Sequence, residues 1–288
     1  MKKYKPIIDD WDAFKAESDE HPVNAVRKNP LKAKEDFEEK LAERFQYEKA
    51  DWADGIYRLD TESPGKSLLH WRGEYYVQEE SAALPIEVLD PKPGEKVLDM
   101  CAAPGGKTTQ IAAKMNNKGL VVANDESSQR MKSLHANVYR TGSAIVDATN
   151  YDARRLPEEK FDRILVDAPC SGEGDRFYET FTAIDEQDSR DLAKLQFQIL
   201  EKASQMIREG GTVVYSTCTI SPIENEGVVQ RAVDETELEL KEIETSIPHV
   251  EGVDSFEDLD YDADMSKCVR VYPHHVNSGV IFVAKLEK

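Results

Sequence analysis

The chain predicts a doubly wound α/β fold preceded by a smaller α+β segment, and three observations carry that prediction. From residue 96 onward, short apolar runs alternate with helical ones, the pattern of a parallel sheet covered on both faces. The apolar runs are five to eight residues long, the length of buried strands rather than helices. The segments of unusual composition follow directly on those runs, where open α/β sheets bind ligands. A length of 288 residues suits one such domain with an appendage. The expected division is an accessory segment over 1–79 and the α/β domain over 80–288.

The elements follow in order. Leu31, Phe37, Leu41 and Phe45 recur at helical spacing and predict a helix over 31–46. DTESPGKS at 60–67 is a turn or linker, and DPKPGEK at 90–96 is a second break. Strands are expected at 96–100, 119–125, 144–148, 162–168, 212–217 and 279–286. Helices are expected at 107–115, 127–140 and 190–208, the last ending at Gly210-Gly211. Pro222 opens a further helix at its first turn.

Composition narrows the class. The net charge of −19 opposes a phosphate-rich partner, but it is unevenly spread. Residues 234–264 hold 13 acids and one base, a solvated face, whereas 21–34 hold Arg27, Lys28, Lys32 and Lys34 and no acid. Those four cations form a candidate nucleic-acid-binding patch, with Arg154, Arg155 and Arg176 as a second location. No apolar stretch reaches 18 residues and the N-terminus lacks the apolar core of a secretory signal. Four widely spaced cysteines, 101, 170, 218 and 268, read as reduced thiols. A monomeric cytoplasmic protein without membrane contact is expected.

Three loops carry chemistry. Asp99–Thr109 (DMCAAPGGKTT) is a small-residue loop between a strand and a helix, which offers backbone N–H groups to an anion. Its GKTT ending resembles a nucleotide-binding P-loop, but that pattern needs glycine where Cys101 stands. The next strand ends at Asp125, placed to accept ribose hydroxyls; a helix N-cap is the plainer reading of that residue alone. A phosphate-free adenosyl ligand bearing a carboxylate, such as S-adenosyl-L-methionine, fits loop and acid together. Asp167–Gly174 (DAPCSGEG) and Tyr215–Pro222 (YSTCTISP) then place one thiol after each of two strands. Neither Cys170 nor Cys218 has a histidine or cysteine at ligand spacing, so no metal site is expected.

A thiol beside a methyl sulfonium suits cytosine C5 methylation. That carbon is a poor nucleophile until a thiolate adds at C6. C5 then takes the methyl, a base removes the C5 proton, and the thiolate leaves. The scheme needs a thiolate of depressed pKa, an acid at N3, and a group that assists release; a second thiol and Asp167 are available for the last two.

Val97–Thr109, Val122–Arg130, Leu165–Gly174 and Tyr215–Glu226 strongly resemble the Sun family of S-adenosylmethionine-dependent RNA cytosine-5 methyltransferases. Gly73–Ser81, Val23–Lys32 and Gly279–Leu286 are similar to its lead-in, its N-terminal basic stretch and its closing strand. The resemblance covers roughly 20–50 and 70–288. It implies a Rossmann-like methyltransferase sheet and a tRNA or rRNA substrate. It implies Cys218 as the nucleophile at C6 and Cys170 as the thiol that promotes release. Lys107 closes the cofactor loop and touches the target nucleotide, and Asp167 contacts cofactor or cytosine. Cys101, Ala102, Ala103, Pro104, Gly105, Gly106, Lys107 and Asp125 hold the cofactor. Asp152 matches the family's third cofactor acid better than Asp147. Trp11, Trp52 and Trp71 are expected to pack rather than stack on bases, Cys268 to be structural, and His135 to be a surface or core residue. The competing class is an RNA-binding or ribosome-assembly factor with a vestigial site; intact Asp167, Cys170 and Cys218 oppose it.

Overall fold

A computed structural model describes residues 2–20, 23–174 and 185–288. Its N-terminal part is a four-stranded antiparallel sheet: β1 (Asn24–Lys28), β2 (Tyr47–Lys49), β3 (Ile56–Leu59) and β4 (Tyr75–Val77), in the order β2-β3-β1-β4. Helix α1 (Trp11–Asp19) precedes it. Helices α2 (Phe37–Ala42) and α3 (Leu68–Trp71) lie between its strands. Phe37, Leu41, Tyr57, Leu59 and Tyr75 form its own small core.

Helix α4 (Leu84–Leu89) leads into the main sheet. There β5 (Lys96–Asp99), β6 (Leu120–Asn124), β7 (Val146–Thr149), β8 (Phe161–Asp167) and β9 (Ile207–Thr217) are parallel in the order β7-β6-β5-β8-β9. The order reverses between β5 and β8, so a crevice opens at their carboxyl ends. Helices α5 (Gly106–Lys114), α6 (Ser128–Thr141), α7 (Glu186–Met206) and α8 (Glu226–Glu235) are the crossovers.

Beyond β9 lie β10 (Glu239–Lys241), β11 (Val250–Glu251), the small pair β12 (Ser255–Phe256) and β13 (Leu259–Asp260), β14 (Val269–Val271), α9 (Pro273–Val276) and β15 (Ile281–Glu287). β15 runs antiparallel beside β9 and β14 beside β15. The acid-rich stretch 234–264 therefore folds: Leu238, Leu240, Ile243, Ile247 and Phe256 are buried. A buried ion pair ties this half to the rest. Arg270 on β14 donates Nε to Glu226 at the start of α8 at 2.6 Å and Nη1 to the Ile220 carbonyl at 3.0 Å.

Three boundaries differ from the sequence reading. The helix expected over 31–46 is confined to α2, because residues 29–33 turn on the Asn29 carbonyl and residue 47 is drawn into sheet pairing with Leu59. β9 starts before Gly210-Gly211 and runs through them, since Gly210 N–H bonds the Lys288 carbonyl at 2.8 Å. Pro222 lies in a turn and α8 begins at Glu226. The reason is Asn225, whose side chain is bound to Thr217 Oγ1 at 2.5 Å and to the Thr219 carbonyl at 2.9 Å.

The N-terminal arm is pinned at the far end of the sheet. His274 and His275 both reach Asp9 through Nε2, at 2.9 and 3.2 Å. His275 Nδ1 accepts the Tyr272 N–H at 3.1 Å. That bond fixes the proton on Nε2, so His275 faces Asp9 as a donor.

Arg27 departs most from expectation. It is buried, not a surface cation: Nη1 donates to Gln78, to the Gly106 carbonyl and to Gln110, and Nη2 to Thr109 at 3.0 Å. Burial pulls its pKa down to about 10. Arg27 thus joins β1 to the first turn of α5. Arg27→Ala should lower unfolding free energy by about 2–4 kcal/mol, because several buried acceptors lose their donor. Urea titration checks the loss, and Arg27→Lys should not restore it, since a lysine has no fork.

Candidate active site

The loop between β5 and α5 is held open by α6 and β6 rather than by its own side chains. The Ala102 N–H bonds the Asn124 carbonyl at 2.7 Å and the Ala103 N–H bonds Asp125 Oδ2 at 3.1 Å. Arg130 donates to the Ala103 carbonyl and Asn137 to the Pro104 carbonyl. Beneath the loop lies a cavity of about 210 Å³ lined by Asp99, Cys101–Pro104, Gly106, Lys107 and Asp167, closed from the N-terminal sheet by Tyr76, Val77 and Gln78. Asp99 is fully buried there. Thr108 Oγ1 donates to its Oδ2 at 2.6 Å while Oδ1 has no hydrogen-bond partner. Burial raises its pKa to about 7, so the site holds a carboxyl poised to gain a cationic neighbour.

The second half of the site comes from the pairing of β8 with β9, which sets Asp167 opposite Ser216. Three residues beyond Asp167 and two beyond Ser216, Cys170 and Cys218 meet with Sγ atoms 3.2 Å apart. Their loops are locked together: Ser171 Oγ and Thr219 Oγ1 are 2.8 Å apart, and Gly174 N–H bonds the Cys218 carbonyl at 3.1 Å. A side chain at Gly174 would place its Cβ 2.2 Å from that carbonyl oxygen, so only glycine allows the approach. Glu224, fully buried, accepts from Ser171 N–H, Gln196 Nε2 and Ser189 Oγ. The Tyr4 hydroxyl of the N-terminal arm donates to buried Glu173 in the same loop.

Lys107 joins the two halves. Its Nζ sits 2.8 Å from Asp167 Oδ2, and Ser216 Oγ donates to Oδ1 at 2.8 Å. Burial opposes the ammonium charge, yet Asp167 beside it lifts the pKa of Lys107 above its ordinary value. In the thiol pair the hydrogen bond from Cys218 draws Cys170 down, while the same bond, burial and the charge of Asp167 push Cys218 up. The sequence-based expectation that Cys218 carries the depressed pKa is therefore not met in the free protein.

The structure gathers Cys101–Lys107, Asp167, Cys170 and Cys218 at one rim. Asp125 is behind it, 2% exposed, bound by Ala103 N–H, Ser127 N–H and Arg130. It is not the N-cap of α6; Ser127 is. Asp152 is tied to Arg154 Nη2 at 2.7 Å and does not line the cavity; Asp147 is exposed. Lys32 and Lys34 are exposed and Lys28 is half-buried over the Phe37 ring. Arg154 and Arg155 are exposed, and Arg176 lies outside the described residues. Cys268 is buried and His135 exposed. Trp11 and Trp52 are partly buried, Trp52 donating to Glu80, but Trp71 is exposed. Sequence reading missed Asp99, Tyr76 and Gln78. Asp99 ends a buried strand, where an acid needs a reason. Tyr76 and Gln78 carry no local signal, because a separate sheet brings them in.

Residues 86–287 match the family described as 16S rRNA methyltransferase RsmB/F, and residues 1–80 match the N-terminal domain of 16S rRNA methyltransferase RsmF. The chain is 34% identical over 276 residues to a tRNA (cytosine(49)-C(5))-methyltransferase of Pyrococcus abyssi, covering 92% of this chain and 88% of that one. It is 37% identical over 262 residues to ribosomal RNA small subunit methyltransferase F of Shewanella loihica, covering 86% of this chain and 52% of that protein, so it spans about half that relative's length. A methyltransferase homologue of Pyrococcus horikoshii superposes with a TM-score of 0.86 at 32% identity, over 96% of this chain and 90% of that one. NSun6 from Pyrococcus horikoshii, solved with SFG, superposes at 0.85 and 24% identity over 100% and 97%, a likeness of fold. The cavity at the switch point fits S-adenosyl-L-methionine: the orphaned Asp99 oxygen suits a cationic ligand, and the loop and α5 offer N–H groups to a carboxylate. The chain belongs to the RsmB/F family of S-adenosyl-L-methionine-dependent methyltransferases.

Proposed function

We propose that this protein methylates C5 of a cytidine in tRNA or rRNA through a covalent cysteine adduct. The observation that carries the reading is the 3.2 Å approach of two thiols beside a Lys107–Asp167 pair at the edge of the cofactor cavity. Cys101–Lys107, with Asp99 and Asp167, hold the cofactor, which supplies an electrophilic methyl group when bound. Asp125 acts on it through the Ala103 backbone and through its ribose, and Asp152 stands at the adenine side.

The target nucleotide is unstacked into the rim. Cys218 yields its proton to solvent as its sulfur bonds to C6. The Asp167 carboxylate, held by Lys107 and Ser216, relays a proton from the Lys107 ammonium to N3, leaving a nucleophilic enamine at C5, and takes that proton back when the adduct breaks. Once C5 carries the methyl and Cys170 has released its proton to solvent, Cys170 takes the C5 proton. The electron pair re-forms the C5–C6 double bond and the Cys218 sulfur departs. The hydrogen bond from Cys218 that draws the Cys170 pKa down suits Cys170 to the part of base. The exposed Lys32 and Lys34, with Lys28, supply phosphate contacts. Arg27 is not among them.

Cys218→Ala should abolish turnover and any covalent RNA complex. Cys170→Ala should methylate but accumulate a protein–RNA adduct that survives a denaturing gel. Trapping by Cys218→Ala instead would move the attack to Cys170. Loss of neither activity nor release in both variants would remove covalent chemistry altogether.

Cofactor affinity should respond to Asp99. A carboxyl with its pKa raised to about 7 is neutral below that pH and charged above it, and a cationic ligand prefers the charged form. Calorimetric affinity for S-adenosyl-L-methionine should therefore rise from about pH 6 to about pH 8, and Asp99→Asn should flatten the profile. ATP should give no thermal shift, whereas the methyl donor at a hundred times its dissociation constant should stabilise by about 2–3 kcal/mol.

A further inference from the structure

Apolar side chains that stand in solvent are ordinary when single, and informative when large and grouped. Leu68 is 72% exposed, Trp71 79% and Tyr139 89%. The first two lie on α3, whose Leu69 is the residue turned into the N-terminal core. Tyr139 lies in the last turn of α6, in the other domain.

The two elements are bound to each other. Arg140 Nη1 donates to the carbonyls of His70 at 2.9 Å and Tyr75 at 3.2 Å. Asn29 Nδ2 bridges the carbonyls of Gly73 and Thr141, each at 2.8 Å. Gly73 has φ +73° and lies so close to the Arg140 carbonyl that a Cβ would sit 2.0 Å from its oxygen. The seam is thus rigid at the backbone while Trp71 and Tyr139, two residues from Gly73 and one from Arg140, project from it.

Charge around the seam is positive in a chain of net −19. The Lys32 side chain lies across Gly142, and Lys32 is exposed. The Arg72 side chain is 63% exposed, 3.9 Å from Glu74, which is itself buried. Two residues before Tyr139, on another face of α6, Asn137 donates to the Pro104 carbonyl at 2.9 Å and reaches the Tyr76 hydroxyl, and both Pro104 and Tyr76 line the cofactor cavity. The same helix thus carries Asn137 at the cavity wall and Tyr139 at the seam, where α3 presents Trp71.

We propose that Trp71 and Tyr139 form a stacking platform for unpaired RNA nucleobases next to the target cytidine, with Lys32 and Arg72 on the phosphates. A base presents a π-face to an aromatic ring whatever its identity, and a flipped target leaves its neighbours unstacked. The pairing of exposed rings with flanking cations favours RNA over a protein partner. The proposal rests on the RNA-methyltransferase reading above.

The test is binding of a fluorescent, unstructured oligoribonucleotide by anisotropy. Trp71→Ala and Tyr139→Ala should each weaken it roughly ten-fold. Trp71→Phe should restore most of the loss, because it keeps a ring. The slope of log affinity against log salt should be unchanged, since stacking releases no counterions. The same oligonucleotide annealed to its complement should bind wild type and variants alike. Thermal stabilisation by S-adenosyl-L-methionine, unchanged in the variants, shows that they fold. Unaltered single-strand affinity in both alanine variants, with wild type binding and methylating RNA, overturns the platform alone. A sedimentation change from dimer to monomer in Trp71→Ala, with RNA affinity retained, assigns the patch to self-association and overturns it as well. A wild type that binds cofactor but no RNA overturns the underlying reading together with the platform.

Discussion

The register of β8 against β9 is the constraint on which the rest of the site depends. Parallel pairing sets Asp167 opposite Ser216, and everything reactive is counted from there: one carboxylate at the strand end, one thiol on each following loop. A slip of one residue would turn every side chain of a strand to the other face and separate the thiols. Several independent contacts hold the loops after the strands as well. The Ser171–Thr219 bond, the Gly174 N–H on the Cys218 carbonyl and the buried Glu224 carboxylate all cross between the two loops or their supports. Such a satisfied polar network costs little when complete and much when any member is removed.

Around that register the molecule is arranged as two braces. On one side Arg27 fastens the N-terminal sheet to the first turn of α5, so the wall carrying Tyr76 and Gln78 moves with the cofactor loop. On the other, Arg270 ties β14 to α8 and to the Ile220 carbonyl, just past Cys218. Both are buried guanidiniums, and the fork geometry explains the choice of arginine: one side chain reaches several acceptors at once. The N-terminal arm adds a third hold through Tyr4 on Glu173 and Asp9 on the two histidines. A chain carrying so many acids keeps its few buried cations for joints.

Electrostatics at the rim then follow from burial rather than from motif. Lys107 keeps its charge because Asp167 is 2.8 Å away. Asp99 is lifted because it is fully buried, a cost that the Thr108 hydrogen bond only partly offsets. The thiols shift each other in opposite directions because their sulfurs lie 3.2 Å apart.

Much of this was legible in residues alone. Strand and helix alternation marked the parallel sheet and the strand ends that carry the site, since apolar periodicity reports burial directly, whereas the strand order and its reversal between β5 and β8 came from the fold. Loop composition located the cofactor site and both thiols, because small residues and cysteines after buried strands have few structural reasons to be there. The chemistry at each position is local, and sequence records local chemistry. What folding alone decided is relational. Arg27 sits in a basic run and reads as a phosphate contact, yet the packing of β1 on α5 buries it. Asp99 looks like an ordinary strand end until its neighbours fail to supply a second partner. Trp71 reads as packing, but α3 is too short to cover it. The opposite pKa shifts of Cys170 and Cys218 arise only in a pair brought together across 48 residues. Burial, pairing and protonation belong to neighbours, and neighbours distant in the chain exist only once the sheet has formed.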